Sequence, residues 1–344
     1  MTIVAFAVSL VISACLTFAL AHGSRFTILD TPNERSLHTK PTPRTGGVAI
    51  VLAIGMGSIV AAFGLEVTDP SLAWVVLGAL LVATVSFMDD WYSLRVKHRL
   101  VVHILAAGSV IYGGFVPNHL ALTDSAWIWP EVIGVAFTLI FVVWAINLYN
   151  FMDGMDGLAA GMAIVAFGTY GLIGFLEGGE LFGTLALVVA GSAFGFLLFN
   201  FPPARIFMGD TGSSTLGFLA AVFALWGVRD QLIPFWISVV LLSPFIVDAT
   251  VTLVKRTLAG EKFWKAHKTH YYQRLVQAGW GHRRTAIAEY GIMCSMSGLA
   301  LIALYGDAVT QWVVMALVVL AYLVLIVAVR RIEEVWQQRN HDEN

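Results

Sequence analysis

Long apolar runs separated by short polar segments make up most of the chain. Runs of this kind can cross a bilayer when they reach about 17 to 25 residues. Such spans are predicted at 3–22, 47–64, 71–88, 100–116, 130–147, 158–176, 181–199, 213–228, 234–254, 289–305 and 311–329. The pattern predicts an all-α, polytopic membrane protein with about 10 to 11 transmembrane helices.

Composition agrees with this class of protein. Of the 344 residues, 58% are hydrophobic and 12% are charged, whereas soluble domains carry about 25% charged residues. Membrane lipids are therefore the expected surroundings. A net charge of −2 gives no general attraction to nucleic acid, which is not expected as a partner. Cys15 and Cys294 lie in apolar runs without metal or disulfide spacing, so both are predicted to pack in the core.

The basic residues predict the orientation of the spans. The first run has no basic residue before it and Arg25 after it, which indicates a transmembrane helix and not a cleaved signal peptide. With a periplasmic N-terminus, 19 of the 20 Lys and Arg residues fall on the cytoplasmic side and only Arg229 lies outside. The C-terminus is then cytoplasmic. One domain, 1–344, is predicted, with cytoplasmic loops 23–46, 89–99, 148–157, 200–212 and 255–288 forming the active site.

Five polar clusters interrupt the apolar pattern, and all five fall on that same side. The first is a proline-rich loop that ends at Gly46 and Gly47, where a side chain would hinder close backbone approach. Its Lys40 and Arg44 are suited to phosphate groups. The alternative is an ordinary solvated loop of the positive side.

The second cluster is the pair Asp89 and Asp90 at the end of an apolar run. Adjacent residues of a helix point about 100° apart, so both carboxylates cannot serve one lateral partner. One could bind a metal while the other handles a proton or orients a substrate. Acidic residues at a membrane boundary are costly unless they have a function.

The third cluster follows the fifth predicted span, and glycines at 154 and 157 indicate that it opens into a loop. Its amides and acids recur at spacings of three, which makes them neighbours wherever the segment is helical. They are Asn147, Asn150, Asp153 and Asp156.

The fourth and fifth clusters lie in the two remaining cytoplasmic loops. Asp210 stands between glycines at the start of a predicted helix, where it could cap the helix or hold a cation beside phosphate oxygens. The basic loop 255–284 mixes cationic and aromatic residues, which suits a phosphorylated ligand or lipid headgroups. Asp248, deep in the ninth span, is expected to be buried and hydrogen-bonded.

Several carboxylates near one cleft require a cation. The set is rich in oxygen ligands and poor in Cys and His, which favours Mg²⁺, with Mn²⁺ as the alternative, over zinc. A diphosphate substrate would complete the coordination that one or two carboxylates begin. The carboxylates are Asp89, Asp90, Asp153, Asp156 and Asp210.

Together, and in this order along nearly the whole chain, the motifs resemble those of the polyprenyl-phosphate N-acetylhexosamine-1-phosphate transferases. These enzymes are relatives of the translocase that makes lipid I. The resemblance implies a bacterial inner-membrane enzyme that uses Mg²⁺, a UDP-N-acetylhexosamine and undecaprenyl phosphate, with its active site on the cytoplasmic face. Its products would be a polyprenyl diphosphate sugar and UMP.

The resemblance also implies roles for residues. Asp210 and one of Asp89 and Asp90, here taken as Asp90, would hold the metal, and the other acid would lie near the attacking lipid phosphate. Both acids of the pair are predicted to be catalytic. Substrate-binding residues would be Lys40, Arg44, Lys97, Asn147, Asn150, Asp153, Asp156, His267, His270 and Arg274.

One departure bears on the sugar. Lipid I enzymes carry consecutive histidines, and the related N-acetylglucosamine enzymes a similar cluster, where this chain reads His267-Lys268-Thr269-His270-Tyr271-Tyr272-Gln273-Arg274. The difference favours the branch that initiates O-antigen, lipopolysaccharide or another surface glycan. A lipid I-type enzyme and a membrane transporter are the alternatives, and a homodimer is one state that the sequence allows. The CDP-alcohol phosphotransferase signature fails because Gly161 stands where an Arg is required.

Overall fold

The computed structural model describes residues 1–23, 28–32, 37, 40–65, 69–123, 125–261 and 267–342. Helices dominate these residues, as the apolar pattern predicts. They are α1 Thr2–Ala21, α2 Gly46–Leu65, α3 Ser71–Tyr92, α4 Val96–Tyr112, α5 Glu131–Met152, α6 Leu158–Leu176, α7 Glu180–Asn200, α8 Gly209–Arg229, α9 Phe235–Leu241, α10 Ser243–Leu258, α11 Tyr271–Leu275, α12 Gly281–Tyr305 and α13 Ala308–Asp342. A π-helical turn, Val276–Trp280, joins α11 to α12.

Strands are few and short in the described residues. β1 (Leu29–Asp30) pairs antiparallel with β2 (Thr42–Pro43), and β3 (His119–Leu122) pairs antiparallel with β4 (Ser125–Ile128). The first pair lies in the proline-rich loop, and the second connects α4 to α5. The all-α class is confirmed.

Nine described helices are long and apolar enough to cross a bilayer, and the bent pair α9–α10 raises the number to ten. The predicted span 100–116 corresponds to α4, which has only 17 residues. Arg99 near the start of α4 binds Asp89 in α3, and Asn150 near the end of α5 binds Ser213 in α8. α4 therefore begins on this polar side, and α5 ends on it. The chain must reach the opposite side between them, so α4 makes an eleventh crossing.

Contacts at the helix ends define two sides of the bundle. On one side, Thr2 hydrogen-bonds Thr184 at the start of α7, and Arg229 at the end of α8 binds Asp69. The other side carries the ends of α3 and α5 and the start of α8. Glu333, near the end of α13, binds Arg274 there. The N-terminus and the polar clusters therefore lie on opposite sides, and the C-terminus lies with the clusters.

The helices extend beyond the apolar runs on the polar side. α3 continues to Tyr92 and ends where Ser93 adopts a positive φ of 50°. Asp89 and Asp90 therefore stand in the last turn of a helix, and the loop before α4 is shorter than the predicted 89–99. α5 likewise continues to Met152. Polar side chains can extend a helix past the apolar core where they find partners at its surface.

Helix α8 lies at the centre of the bundle. Every residue from Thr211 to Val228 is buried. A helix enclosed on all sides can be apolar all round, and the middle of α8 is apolar all round. Its first turn brings Asp210 to the centre of the polar side.

Two predictions from the apolar runs are wrong. Cys15 and Cys294 are exposed and do not pack in the core, because an apolar residue in a membrane protein can face lipid instead of protein. The ninth predicted span, 234–254, is not one straight helix, since α9 and α10 meet at 78°. Pro244 lies in the first turn of α10, where its missing N–H is tolerated and a new helix can begin.

Candidate active site

A polar cavity of about 290 Å³ opens at the polar ends of α3, α5 and α8. Its walls contain most of the carboxylates that the sequence singles out. The lining residues are Asp30, Leu37, Arg44, Asp90, Asn150, Asp153, Gly154, Met155, Asp156, Asn200, Phe207, Met208, Gly209, Asp210, Gln273 and His282. The first four polar clusters therefore meet in one place, together with two residues of the fifth.

Asp90 is bound to the first turn of α8 through both carboxylate oxygens. Its Oδ1 accepts from the backbone N–H of Asp210 at 3.1 Å, and its Oδ2 accepts from the N–H and the hydroxyl of Thr211 at 2.9 and 2.7 Å. Helix N-termini carry N–H groups without partners and a partial positive charge, so a carboxylate there is stabilising. Only 4% of Asp90 is exposed. This contact fixes the position of Asp210.

Asp89 turns to different partners. Its Oδ1 accepts from the N–H of Leu94 at 2.6 Å, and its Oδ2 accepts from Arg99. Arg99 also donates to Oδ2 of Asp210 at 2.9 Å. The two adjacent acids are thus linked to Asp210 in different ways. Asp90 accepts from its backbone N–H, and Asp89 shares the guanidinium group of Arg99 with it.

Arg44 contributes positive charge beside Asp90. Its Nη2 donates to the backbone oxygen of Asp90, and its Nε lies 4.0 Å from Oδ1 of the same residue. That buried Nε has no hydrogen-bond partner among the described residues. The guanidinium group also lines the cavity, where 31% of the side chain is exposed, and it suits an anionic ligand there.

In the segment after α5, the carboxylate of Asp153 makes no hydrogen bond to a described residue. Burial, followed by the negative charges of Asp210, Asp90 and Asp156, raises the pKa of Asp153 to about 8. Asp156 differs, because its oxygens lie 3.0 Å from the N–H of Ala204 and 3.0 Å from Nδ1 of His282. A cation in the cavity would therefore find in Asp153 a carboxylate that makes no hydrogen bond to another described residue.

Some predicted site residues do not line this cavity. Lys40 and Lys97 are exposed. Asn147 lies one turn of α5 before Asn150, and its amide donates to the Val143 carbonyl at 2.7 Å. Their roles in substrate binding stay predictions.

The same holds for three residues of the fifth cluster. His270 lies 3.1 Å from Oδ1 of Asp248, and Arg274 pairs with Glu333. His267 contacts the Thr269 hydroxyl at 2.9 Å, and its pKa is lowered to about 4 by burial and by the charges of His270 and Arg256. Their substrate-binding roles also stay predictions.

Sequence reasoning missed three residues of the cavity. Asn200 accepts from the N–H of Gly157 and donates to the Ile206 carbonyl, both at 2.8 Å, which joins two loops. An amide at the end of an apolar run was its only signal. Gln273 and His282 come from the fifth cluster, where nothing local distinguishes them from neighbouring polar residues.

Glycines allow the backbones to meet at this site. Gly209 has a φ of +71°, and an added Cβ would lie 3.1 Å from each Asp90 carboxylate oxygen. A Cβ on Gly47 would lie 2.1 Å from the Gly212 nitrogen. Helices α2 and α8 therefore approach backbone to backbone, with the Gly47 N–H donating to the Met208 carbonyl at 2.7 Å.

The residues present fit a hard cation held jointly with a ligand. Among the described residues, no three His, Cys, Asp or Glu side chains form a ready-made metal cluster. Mg²⁺ commonly takes one or two carboxylates and completes its coordination with phosphate oxygens and water. Asp153 and Asp210 supply oxygens of that kind, and Arg44 and Arg99 lie beside them for the remaining negative charge.

Fold and site together define a polytopic membrane protein with a carboxylate-rich, phosphate-compatible cavity at one membrane surface. Glycosyl transferase family 4 matches residues 72–228. A protein of Bacillus subtilis, named as a probable undecaprenyl-phosphate N-acetylglucosaminyl 1-phosphate transferase, is 30% identical over 87% of this chain and 84% of its own.

Two further relatives extend the comparison. The decaprenyl-phosphate N-acetylglucosaminephosphotransferase of Mycolicibacterium smegmatis is 31% identical, over 77% of this chain and 73% of its own. The phospho-N-acetylmuramoyl-pentapeptide-transferase of Chlorobium chlorochromatii is 30% identical, over 76% and 79%. The chain belongs to glycosyl transferase family 4, which confirms the resemblance drawn from its motifs.

Proposed function

We propose that the protein transfers an N-acetylhexosamine 1-phosphate from a UDP-sugar to undecaprenyl phosphate, releasing UMP. The observation that carries the proposal is the meeting of Asp153, Asp210 and the guanidinium group of Arg44 in one cavity. The names of the relatives support the class of donor and the polyprenyl phosphate acceptor.

The reaction forms one phosphorus–oxygen bond and breaks another. An oxygen of the lipid phosphate attacks the sugar-bearing phosphorus of the donor, and the bond from that phosphorus to the UMP oxygen breaks. A phosphate monoester has a second pKa near 6, so most of the acceptor is already deprotonated at pH 7. Catalysis then rests on in-line positioning and charge neutralisation and does not require a strong base.

The side chains divide this work. Asp210 would hold Mg²⁺, or Mn²⁺, together with substrate phosphate oxygens, and the cation would neutralise charge on the diphosphate. Asp90, the predicted second ligand, keeps Asp210 in place through the first turn of α8. Arg99 holds Asp210 from the other side, and Arg44, which lines the cavity, would donate to a phosphate oxygen.

The cytoplasmic face of the bacterial inner membrane is the proposed location of the site. Nucleotide sugars are cytoplasmic, and the distribution of Lys and Arg along the sequence, 19 of 20 in the loops of one side, predicts that the polar clusters face the cytoplasm. The proposed product would initiate O-antigen, lipopolysaccharide or another surface glycan. N-acetylglucosamine is the first sugar to test, since two of the relatives are named for it.

UMP release from a panel of UDP-N-acetylhexosamines tests the proposal. Purified protein in detergent is given undecaprenyl phosphate, with and without Mg²⁺. Release that needs the lipid, the metal and one donor supports the transferase and names its sugar. No release from any donor, in the presence of a relative that reacts in the same assay, contradicts it and favours a transporter.

The lipid I-type reaction is the second candidate, because a relative with that activity in its name is 30% identical. The segment His270-Tyr271-Tyr272-Gln273 lacks the consecutive histidines of lipid I enzymes. Including UDP-N-acetylmuramoyl-pentapeptide in the donor panel decides between the two. Reaction with that donor alone would replace the first proposal.

A further inference from the structure

A second cleft lies between α10 and α13, on the other side of α11 from the active-site cavity. Gln273 of α11 lines the active-site cavity, whereas Tyr271 and Arg274 of the same helix line the second cleft. We call this space the α10–α13 cleft. It consists of two neighbouring cavities, a polar part of about 530 Å³ and an apolar part of about 140 Å³, which share Tyr271 as a lining residue.

The apolar part lies among the membrane-spanning segments of α10, α12 and α13. At its base, the Ser243 hydroxyl of α10 and the Tyr322 hydroxyl of α13 are hydrogen-bonded at 2.7 Å. Glu289 is the one carboxyl group on this wall without a hydrogen bond to a described residue. Branched aliphatic side chains dominate the rest, among them Val247, Ile292, Leu325, Ile326 and Val329. Such a surface suits a hydrocarbon chain.

The polar part is basic. Its wall contains four cationic side chains, Lys255, Arg256, Lys268 and Arg274, and two carboxylates, Glu261 and Glu333. The two glutamates pair with Arg256 and Arg274. Cationic side chains therefore outnumber carboxylates on this wall, four to two.

The cations of this part lie close to one another and to aromatic rings. The Lys255 ammonium and the Arg274 guanidinium lie 4.6 and 4.7 Å from the centre of the Tyr271 ring. Trp336 of α13 also lines the polar part. Tyr and Trp concentrate at the headgroup level of membranes, where one part of the ring is wet and the other apolar. The polar part thus has the chemistry of a headgroup site.

We propose that the α10–α13 cleft binds an anionic glycerophospholipid of the surrounding bilayer. Its phosphate lies against Lys255, beside the Arg274–Glu333 pair, and an acyl chain lies in the apolar part. Basic pockets between transmembrane helices bind lipid headgroups by this combination of contacts. A soluble phosphate would leave the apolar part unused.

The position of α11 distinguishes this lipid from the polyprenyl phosphate acceptor. A phosphate held at Lys255 lies on the Tyr271 face of α11, whereas the acceptor phosphate must reach the cavity of Asp153 and Asp210, which Gln273 lines. A lipid in the cleft contacts the same helix that borders the active site. The bound lipid therefore supports α11 from behind and does not enter the reaction.

Native mass spectrometry of the purified full-length protein measures the lipid that it retains. We expect phosphatidylglycerol to be retained in preference to phosphatidylcholine. Lys255→Ala should weaken retention roughly tenfold, the loss of one charge-assisted contact, and Lys255→Arg should restore it. Ala328→Phe, which fills the apolar part, should abolish it.

Matched variants on α13 control for general effects on the membrane surface. Arg339→Ala removes a charge from an exposed position outside the cleft, and Val327→Phe adds a ring at an exposed position beside Ala328. Both should retain phosphatidylglycerol like the unchanged protein. Melting temperatures in detergent identify any variant that fails to fold. If Ala328→Phe does not fold, the comparison of Lys255→Ala with Lys255→Arg decides whether the proposal holds.

Four results would overturn the proposal. They are equal retention of phosphatidylcholine, unchanged retention in Lys255→Ala and Ala328→Phe, one-for-one displacement of phosphatidylglycerol by undecaprenyl phosphate, and complete competition by inorganic phosphate. The third would make the cleft an acceptor site, and the fourth a site for a free anion. Because the readout is binding, its outcome is independent of whether the proposed transfer reaction is correct.

Discussion

The carboxylate of Asp90 accepts two hydrogen bonds from Thr211, one from its backbone N–H at 2.9 Å and one from its hydroxyl at 2.7 Å. This contact joins the end of α3 to the start of α8, 121 residues later in the chain. Since Asp210 precedes Thr211, the same contact sets the position of the carboxylate that we propose to hold the metal.

Asp90→Ala should remove most activity and should also reduce stability. Two backbone N–H groups and one hydroxyl would lose their acceptor, at a cost of about 1–3 kcal/mol for a buried unsatisfied group. Thr211→Val removes only the hydroxyl contact and should cost roughly 1 kcal/mol, with UMP release largely kept. Melting temperature in detergent and UMP release measure the two effects. Full activity in Asp90→Ala would show that the contact is dispensable.

Asp210→Asn should abolish UMP release at every pH, because the neutral amide cannot replace a carboxylate toward a cation. Asp89→Asn should differ and leave a residual rate. That rate should rise from about pH 5 to pH 7 and then level off, as the acceptor phosphate with its second pKa near 6 loses its last proton. A pH series of UMP release for both variants is the measurement. A residual rate of Asp89→Asn that does not change with pH would contradict the account.

Sequence patterns predicted the helical architecture because a bilayer leaves few alternatives for long apolar runs. They also singled out acids, such as Asp90 and Asp153, that the structure places in one cavity, since carboxylates at a membrane boundary are costly unless they have a function. What they could not give is which partner each side chain faces. His270 and Arg274 have the composition expected of a substrate site, yet they contact Asp248 and Glu333.

The bend between α9 and α10 was equally beyond the sequence pattern. Residues 234–254 form one apolar run, and Pro244 alone does not distinguish a kink from the start of a new helix. The short helix α11 comes after α10 in the chain. It is held against α10 because Asp248 of α10 accepts hydrogen bonds from the first two N–H groups of α11. Tertiary contact and not local pattern therefore places Gln273 in the cavity.

Gly212→Ala should destabilise the protein by roughly 1–3 kcal/mol, the usual cost of overpacking. An added Cβ would lie 2.4 Å from the Met208 Cγ and 2.8 Å from the Cα of Gly47, where a backbone atom leaves no room. Gly291→Ala is the matched control in helix α12, since nothing lies within 4 Å of its added Cβ. The control should keep or raise the melting temperature, because Ala favours a helix over Gly. Equal melting temperatures for the two variants would refute close packing at Gly212.

Asp248→Asn should weaken donor binding more than it slows turnover. Asp248 is hydrogen-bonded, as predicted: it accepts from the N–H groups of Tyr271 and Tyr272 at 3.0 and 3.2 Å and lies 3.1 Å from Nδ1 of His270. The asparagine has one acceptor oxygen where the carboxylate has two, so at least one contact of α11 is lost. Gln273, which that helix carries into the cavity, should then be less well placed.

The expected result is a KM for the UDP-sugar raised roughly tenfold, the size of one charge-assisted hydrogen bond, with kcat lowered less. Asp248→Glu keeps both oxygens and should recover part of the loss, which a purely structural defect would not. Steady-state UMP release with varied donor gives both constants, and Thr252→Val, which removes only the hydroxyl that contacts Asp248 at 3.1 Å, is the mild control. If kcat falls and KM does not change, Asp248 acts on the chemical step and not through the position of α11.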